Sequence, residues 1–125
     1  MTLSRIVMRL ARNPGTEFAG GDDHRGYALV APLQPNGKLD VEGFQASRAD
    51  CSVRRFAPDE EAVNGVLKRH GQAWFFDYDA SEDTDDEPVH RLGEHVFAVG
   101  EYVSVADEDG RLLAYKVTEV SPLQS

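Results

Sequence analysis

A mainly β fold, either a small barrel or a strongly curved antiparallel sheet with one short helix, is what this sequence of 125 residues predicts. Three observations carry that expectation. Apolar residues alternate at period two in several short runs. Asn36-Gly37, His70-Gly71 and Asp109-Gly110 punctuate those runs as turns. Residues 40–49 have the spacing of a short helix, and although Arg5, Arg9 and Arg12 also fall on one helical face, the N-terminal segment reads as a strand.

In the N-terminal MTLSRIVMRLARNP, Ile6, Met8 and Leu10 alternate with Arg5, Val7 and Arg9, which predicts a first strand with an outward arginine face. The segment is also acid-free and arginine-rich, the flavour of a cleaved transit peptide, but Pro14-Gly15 ends it early and favours the strand. NPGTEFAGGDDHRG follows as a long loop by its Gly, Pro and Asp content, and YALVAPL is apolar enough for a buried strand. Asp40 is placed to cap the helix, with Val41 and Phe44 on its inner side and Gly43 weakening it. CSVRRF alternates as a strand, APDEEA turns the chain, and VNGVLKRHGQAWFFDYD reads as a hairpin. In its second arm Trp74, Phe76 and Tyr78 share one face, most simply the inward face of the sheet, with Val103, Val105 and Val117 as expected neighbours. EYVSVADEDGRLLAYKVTEV forms a second hairpin. These six or seven strands fit one β-rich domain over residues 1–125, a length that supports a single core.

Charge limits the partners. The net charge is −9, with residues 1–57 at +2 and residues 58–125 at −11. Phosphate backbones are held mainly by Lys and Arg, so nucleic acid is not the expected partner, although the arginine-richer first half can meet another anion. No apolar run approaches the ~20 residues of a membrane span, so no membrane helix is expected. The lone Cys51 offers no disulfide framework and points to a reducing, cytoplasmic compartment.

The acid-rich stretch DYDASEDTDDEPVHRLGEH invites a metal reading. An EF-hand loop fails in it, because Glu82 and Pro88 fall where that loop needs Gly and a bidentate Glu. The six acids among residues 79–87 read more simply as a solvated loop. The stronger metal candidates are His24, His90, Glu94 and His95, joined by Asp22 and Asp23, since imidazole with carboxylate suits a divalent ion. His90 and His95 are five apart with Gly93 between, not the i, i+4 pair of a helical zinc motif. Arg54 and Arg55 stand near Cys51, but no local base accompanies the thiol, which reads as a small buried hydrophobe. The glycines of GTEFAGGDDHRG do not make a phosphate loop, because Asp22 and Asp23 would repel the anion. Arg5, Arg9, Arg54 and Arg55 are the candidate binding residues: on adjacent strands they would converge as a basic patch unless they pair with acids such as Glu101 or Glu119.

With HRLGEHVFAVGEYVSV, GYALVAPL and CSVRRF on the page, the chain resembles a family of short uncharacterised bacterial proteins along nearly its whole length. That resemblance implies a stand-alone cytoplasmic domain and brings no activity, substrate or catalytic residue. The reading from residues is a small soluble module that binds a protein partner or its own second copy rather than an enzyme, with no catalytic residues and no cofactor. A divalent-metal or small-ligand protein using His24, His90 and His95 is the alternative.

Overall fold

The computed structural model describes residues 3–58, 60–70, 73–78, 87–89, 95–106 and 111–123. The strands are β1 Leu3–Leu10, β2 Asp22–Pro32, β3 Ser52–Ala57, β4 Glu60–His70, β5 Ala73–Tyr78, β6 Glu87–Val89, β7 Tyr102–Ala106 and β8 Leu112–Pro122. One helix, α1 Val41–Ala46, and a 3-10 turn, Arg48–Asp50, join β2 to β3. All the pairings are antiparallel, in one sheet of order β6-β5-β4-β3-β2-β1-β8-β7.

That sheet is strongly curled. Tyr27 on β2 packs on Phe76 of β5 at 5.3 Å between ring centroids, and on Tyr115 of β8 at 5.1 Å. In a flat sheet β2 and β5 would lie about 14 Å apart, three spacings of about 4.8 Å, so the two rings meet only across a concave interior. The terminal strands β6 and β7 also draw close. The fold expected from period-two alternation is therefore the fold observed, a mainly β domain with one short helix.

The concave face is the core. Ile6, Met8 and Leu10 of β1, Leu29 of β2, Val53 of β3, Leu67 of β4, Val103 and Val105 of β7 and Val117 of β8 are all buried in one cluster with Trp74 and Phe76 of β5. At one end α1 lays Phe44 edge-on to Trp74, 5.0 Å between centroids. Asp40 caps that helix by accepting from the Gly43 N–H. The neighbours expected for Trp74 lie in its cluster, whereas the side chain of Tyr78 lies outside the described residues.

Three local expectations are corrected. The loop after β1 ends at Gly21 rather than residue 26, because Gly21 adopts a positive φ, donates its N–H to the Phe18 carbonyl and turns the chain straight into β2. The helix stops at Ala46, where the Ser47 N–H is shared between the Gly43 and Phe44 carbonyls and residues 48–50 tighten into the 3-10 turn. The acid-rich stretch read as loop contains β6, in which Pro88 sits on an edge strand. Residues 79–86, the rest of the acid run, lie outside the described residues.

Candidate functional site

The convex side of the sheet carries the arginines. Inward Ile6, Met8 and Leu10 leave Arg5, Val7 and Arg9 on the outer face, and Val7 is outside the core cluster although only 4% exposed. Ladder register extends these positions across the neighbouring strands. One outer row runs Ser121, Arg5, Val30, Ser52, Val66, and the next runs Glu119, Val7, Ala28, Arg54, Asn64. A third runs Tyr102, Lys116, Arg9, Gly26, Phe56.

Two backbone features create that third row. Between Val7 and Met8 the β1–β8 register slips by one, leaving Thr118 as an extra residue whose hydroxyl donates to the Val7 carbonyl. The slip pairs Lys116 with Arg9. On the other flank Gly26 puts no side chain between Arg9 and Phe56, and the guanidinium lies 5.6 Å from the ring centroid. One Arg9 nitrogen also donates to the Asp23 carbonyl.

Among the described residues, no carboxylate lies within ion-pair distance of Arg5, Arg9, Arg54 or Lys116. Glu119 shares the face, but its carboxylate accepts from the Ser121 hydroxyl. Lys68 pairs with Asp77, Arg25 with Asp22 and Glu60, and Arg111 with Glu17 through two hydrogen bonds of 2.9 Å, while Arg12, Lys38, Arg48 and Arg69 likewise have no ion pair among the described residues. The Arg111 bonds hold the Glu17 carboxyl down at about 2.

The sequence candidates divide accordingly. Arg5, Arg9 and Arg54 come together on the outer face, while Arg55 pairs with Tyr27 and Val63, in register with the inner side, and has contacts of its own. Lys116 was not among the candidates, because its place beside Arg9 follows from the bulge at Thr118. Cys51 is buried, its thiol facing the Ser47 carbonyl at 3.5 Å, and burial followed by nearby Asp50 pushes it up to about 11. That environment makes a poor nucleophile.

The chain matches no family model, no curated protein and no solved structure. The likeness to short bacterial proteins therefore stands on the quoted residues alone.

Of the metal candidates, His24 is exposed on β2, where its backbone N–H donates to Asp22, and Asp22 is itself paired with Arg25. His95 is half-buried at the start of the segment leading to Phe97, and His90 and Glu94 lie outside the described residues. No group of three or more His, Cys, Asp or Glu residues gathers as metal ligands among the described residues. At another end of the sheet a shallow groove of about 630 Å³ runs between the Leu33–Gly37 turn and the Val96–Val99 segment. The Phe97 N–H, donating to the Gly37 carbonyl at 2.8 Å, ties its two walls together.

Proposed function

We propose that this chain is a small cytoplasmic binding module that acts by docking an acidic protein surface on the outer face of β1, β2, β3 and β8, and not by catalysis. One observation carries the reading. In a chain with 22 acids and 13 Lys and Arg, four cations share one sheet face without an ion-pair partner among the described residues. Unpaired guanidinium groups favour planar carboxylates, which they grip through two parallel hydrogen bonds. Half-buried Ala28 and Val30 and exposed Val66 lie among them, so the face combines charge that steers a partner with surface that a docked partner covers.

Fluorescence anisotropy with a labelled polyglutamate peptide tests the reading. Wild-type protein binds it at low salt, and the variant Arg5→Ser/Arg54→Ser/Lys116→Ser binds about tenfold more weakly or worse. Equal binding by the two proteins removes the face from the reading. A single-stranded oligonucleotide of equal charge bound more tightly than the peptide transfers the face to nucleic acid. A stoichiometric divalent ion in the purified protein, lost on His24→Ala or His95→Ala, favours the metal alternative instead.

A further inference from the structure

We infer that the acidic partner of this face carries an apolar anchor beside its acids, and that the groove at the start of β1 and the end of β8 receives that anchor. The inference rests on the binding reading above and names what the partner must present. Groove and face are one residue apart in two strands. Ser4 and Val120 line the groove, and the residues that follow them, Arg5 and Ser121, pair with each other in the first outer row. Since consecutive Cα atoms are about 3.8 Å apart, a segment seated in the groove reaches the position of Arg5 within about three of its own residues.

The groove differs from the face in chemistry. Although 28% of the chain is charged, no charged side chain lines it among the described residues. Leu33 and Val120 line it from below, each half-buried against the core, with Pro35, Val96 and Val99 around them. Val99 is 66% exposed, so an apolar occupant covers surface that now faces water. The volume of about 630 Å³ falls within the range of about 300 to 1,000 Å³ typical of small-ligand pockets, enough for an apolar side chain. The bond from the Phe97 N–H to the Gly37 carbonyl holds the walls in place beforehand, which keeps the ordering cost of binding low. Charge then selects the occupant. A wholly acidic segment gains nothing from uncharged walls, and a wholly apolar one leaves Arg5 unpaired. A segment in which leucine-like side chains adjoin Asp or Glu satisfies both, with the buried anchor supplying affinity and the acids steering the approach.

Fluorescence anisotropy of the full chain with labelled peptides of equal length provides the test: polyglutamate, polyglutamate interrupted at its centre by two leucines, and the same peptide with two serines instead. Acids on both sides of the leucines make the comparison independent of the direction in which the peptide lies. Wild-type protein binds the leucine peptide at least about tenfold more tightly than the serine peptide. Pro35→Ser/Val99→Ser, changed at two exposed positions, binds polyglutamate as wild type does but brings the leucine advantage down to about twofold or less. Arg5→Ser/Arg54→Ser/Lys116→Ser binds both peptides more weakly. Equal binding of the leucine and serine peptides by wild type overturns the inference. So does a leucine advantage that survives in Pro35→Ser/Val99→Ser, because the anchor then sits elsewhere. A leucine peptide held equally by wild type and the triple variant overturns it as well, since the groove then works without the face. Polyglutamate alone separates these failures from failure of the underlying reading. Bound by wild type and weakened in the triple variant, it keeps the docking face even where the anchor is lost, and bound alike by both it removes the face.

Discussion

Arg9 of β1 lies over the ring of Phe56 on β3, although β2 runs between them. Gly26 occupies the intervening position in both ladders. The missing side chain also lets β2 pass unusually close to β1: a Cβ at Gly26 would stand 1.9 Å from the Met8 carbonyl oxygen. One glycine thus sets both the strand approach and the outward row that carries Arg9.

Gly26→Ala is accordingly expected to be severe. No rotamer change relieves an overlap with backbone, so the loss should be on the order of 3 kcal/mol or more. Gly20→Ala, where a Cβ meets nothing within 4 Å, provides the comparison and should stay within about 0.5 kcal/mol of wild type. Urea unfolding of the two variants decides the matter. Matching midpoints would show that β2 does not approach β1 this closely.

Trp74 is the only tryptophan and is 3% exposed, packed against Phe44 with the Arg69 guanidinium 5.6 Å from its ring centroid. Its emission should be blue-shifted in the native protein and move to longer wavelength on unfolding. Removing the ring by Trp74→Ala should cost about 3 to 5 kcal/mol, because α1 loses its contact with the sheet. Native emission like that of free indole in water would contradict this packing.

The Glu17–Arg111 pair gives stability a pH signature. The Glu17 carboxyl is lowered from 4.5 to about 2, first by the Arg111 hydrogen bond. A carboxyl with a depressed folded-state value stabilises the fold fully above its unfolded value, and that contribution disappears as pH falls through the folded value. The stability difference between wild type and Glu17→Gln should therefore be constant above pH 4.5 and shrink toward about pH 2. The pair is well exposed, so the difference should be small and should narrow further in high salt. A difference that grows on acidification would reverse the assignment.

Cys51 should be chemically quiet in the native state. Its thiol is buried and raised to about 11, so at pH 8 little thiolate exists and none of it is accessible. A thiol-reactive disulfide reagent should label native protein slowly, at a rate tracking unfolding, and label urea-unfolded protein at once. Fast labelling of folded protein would place Cys51 at the surface.

Much of the outer face was legible in the sequence, and the particular residues show why. Ile6, Met8 and Leu10 alternate with Arg5, Val7 and Arg9, and period two alone assigns the first set inward and the second outward. Arg54 follows from the same rule beside buried Val53, and the rule equally separates it from Arg55. Lys116 was different. Alternation turns it outward, but only the bulge at Thr118 sets it beside Arg9.

The sequence by itself determined the fold class, the inward and outward residues of most strands, the Asp40 cap and the charge asymmetry between the two halves. These are local properties, fixed by backbone periodicity, turn chemistry and composition within a few residues. The tertiary structure alone decided the strand order, the curl that brings Tyr27 onto Phe76, the short strand β6 and the neighbours of each arginine. Those depend on pairings between segments as distant as β1 and β8, where one bulge residue or one missing Cβ shifts every partner along the ladder, and nothing within either strand records which partner it will meet.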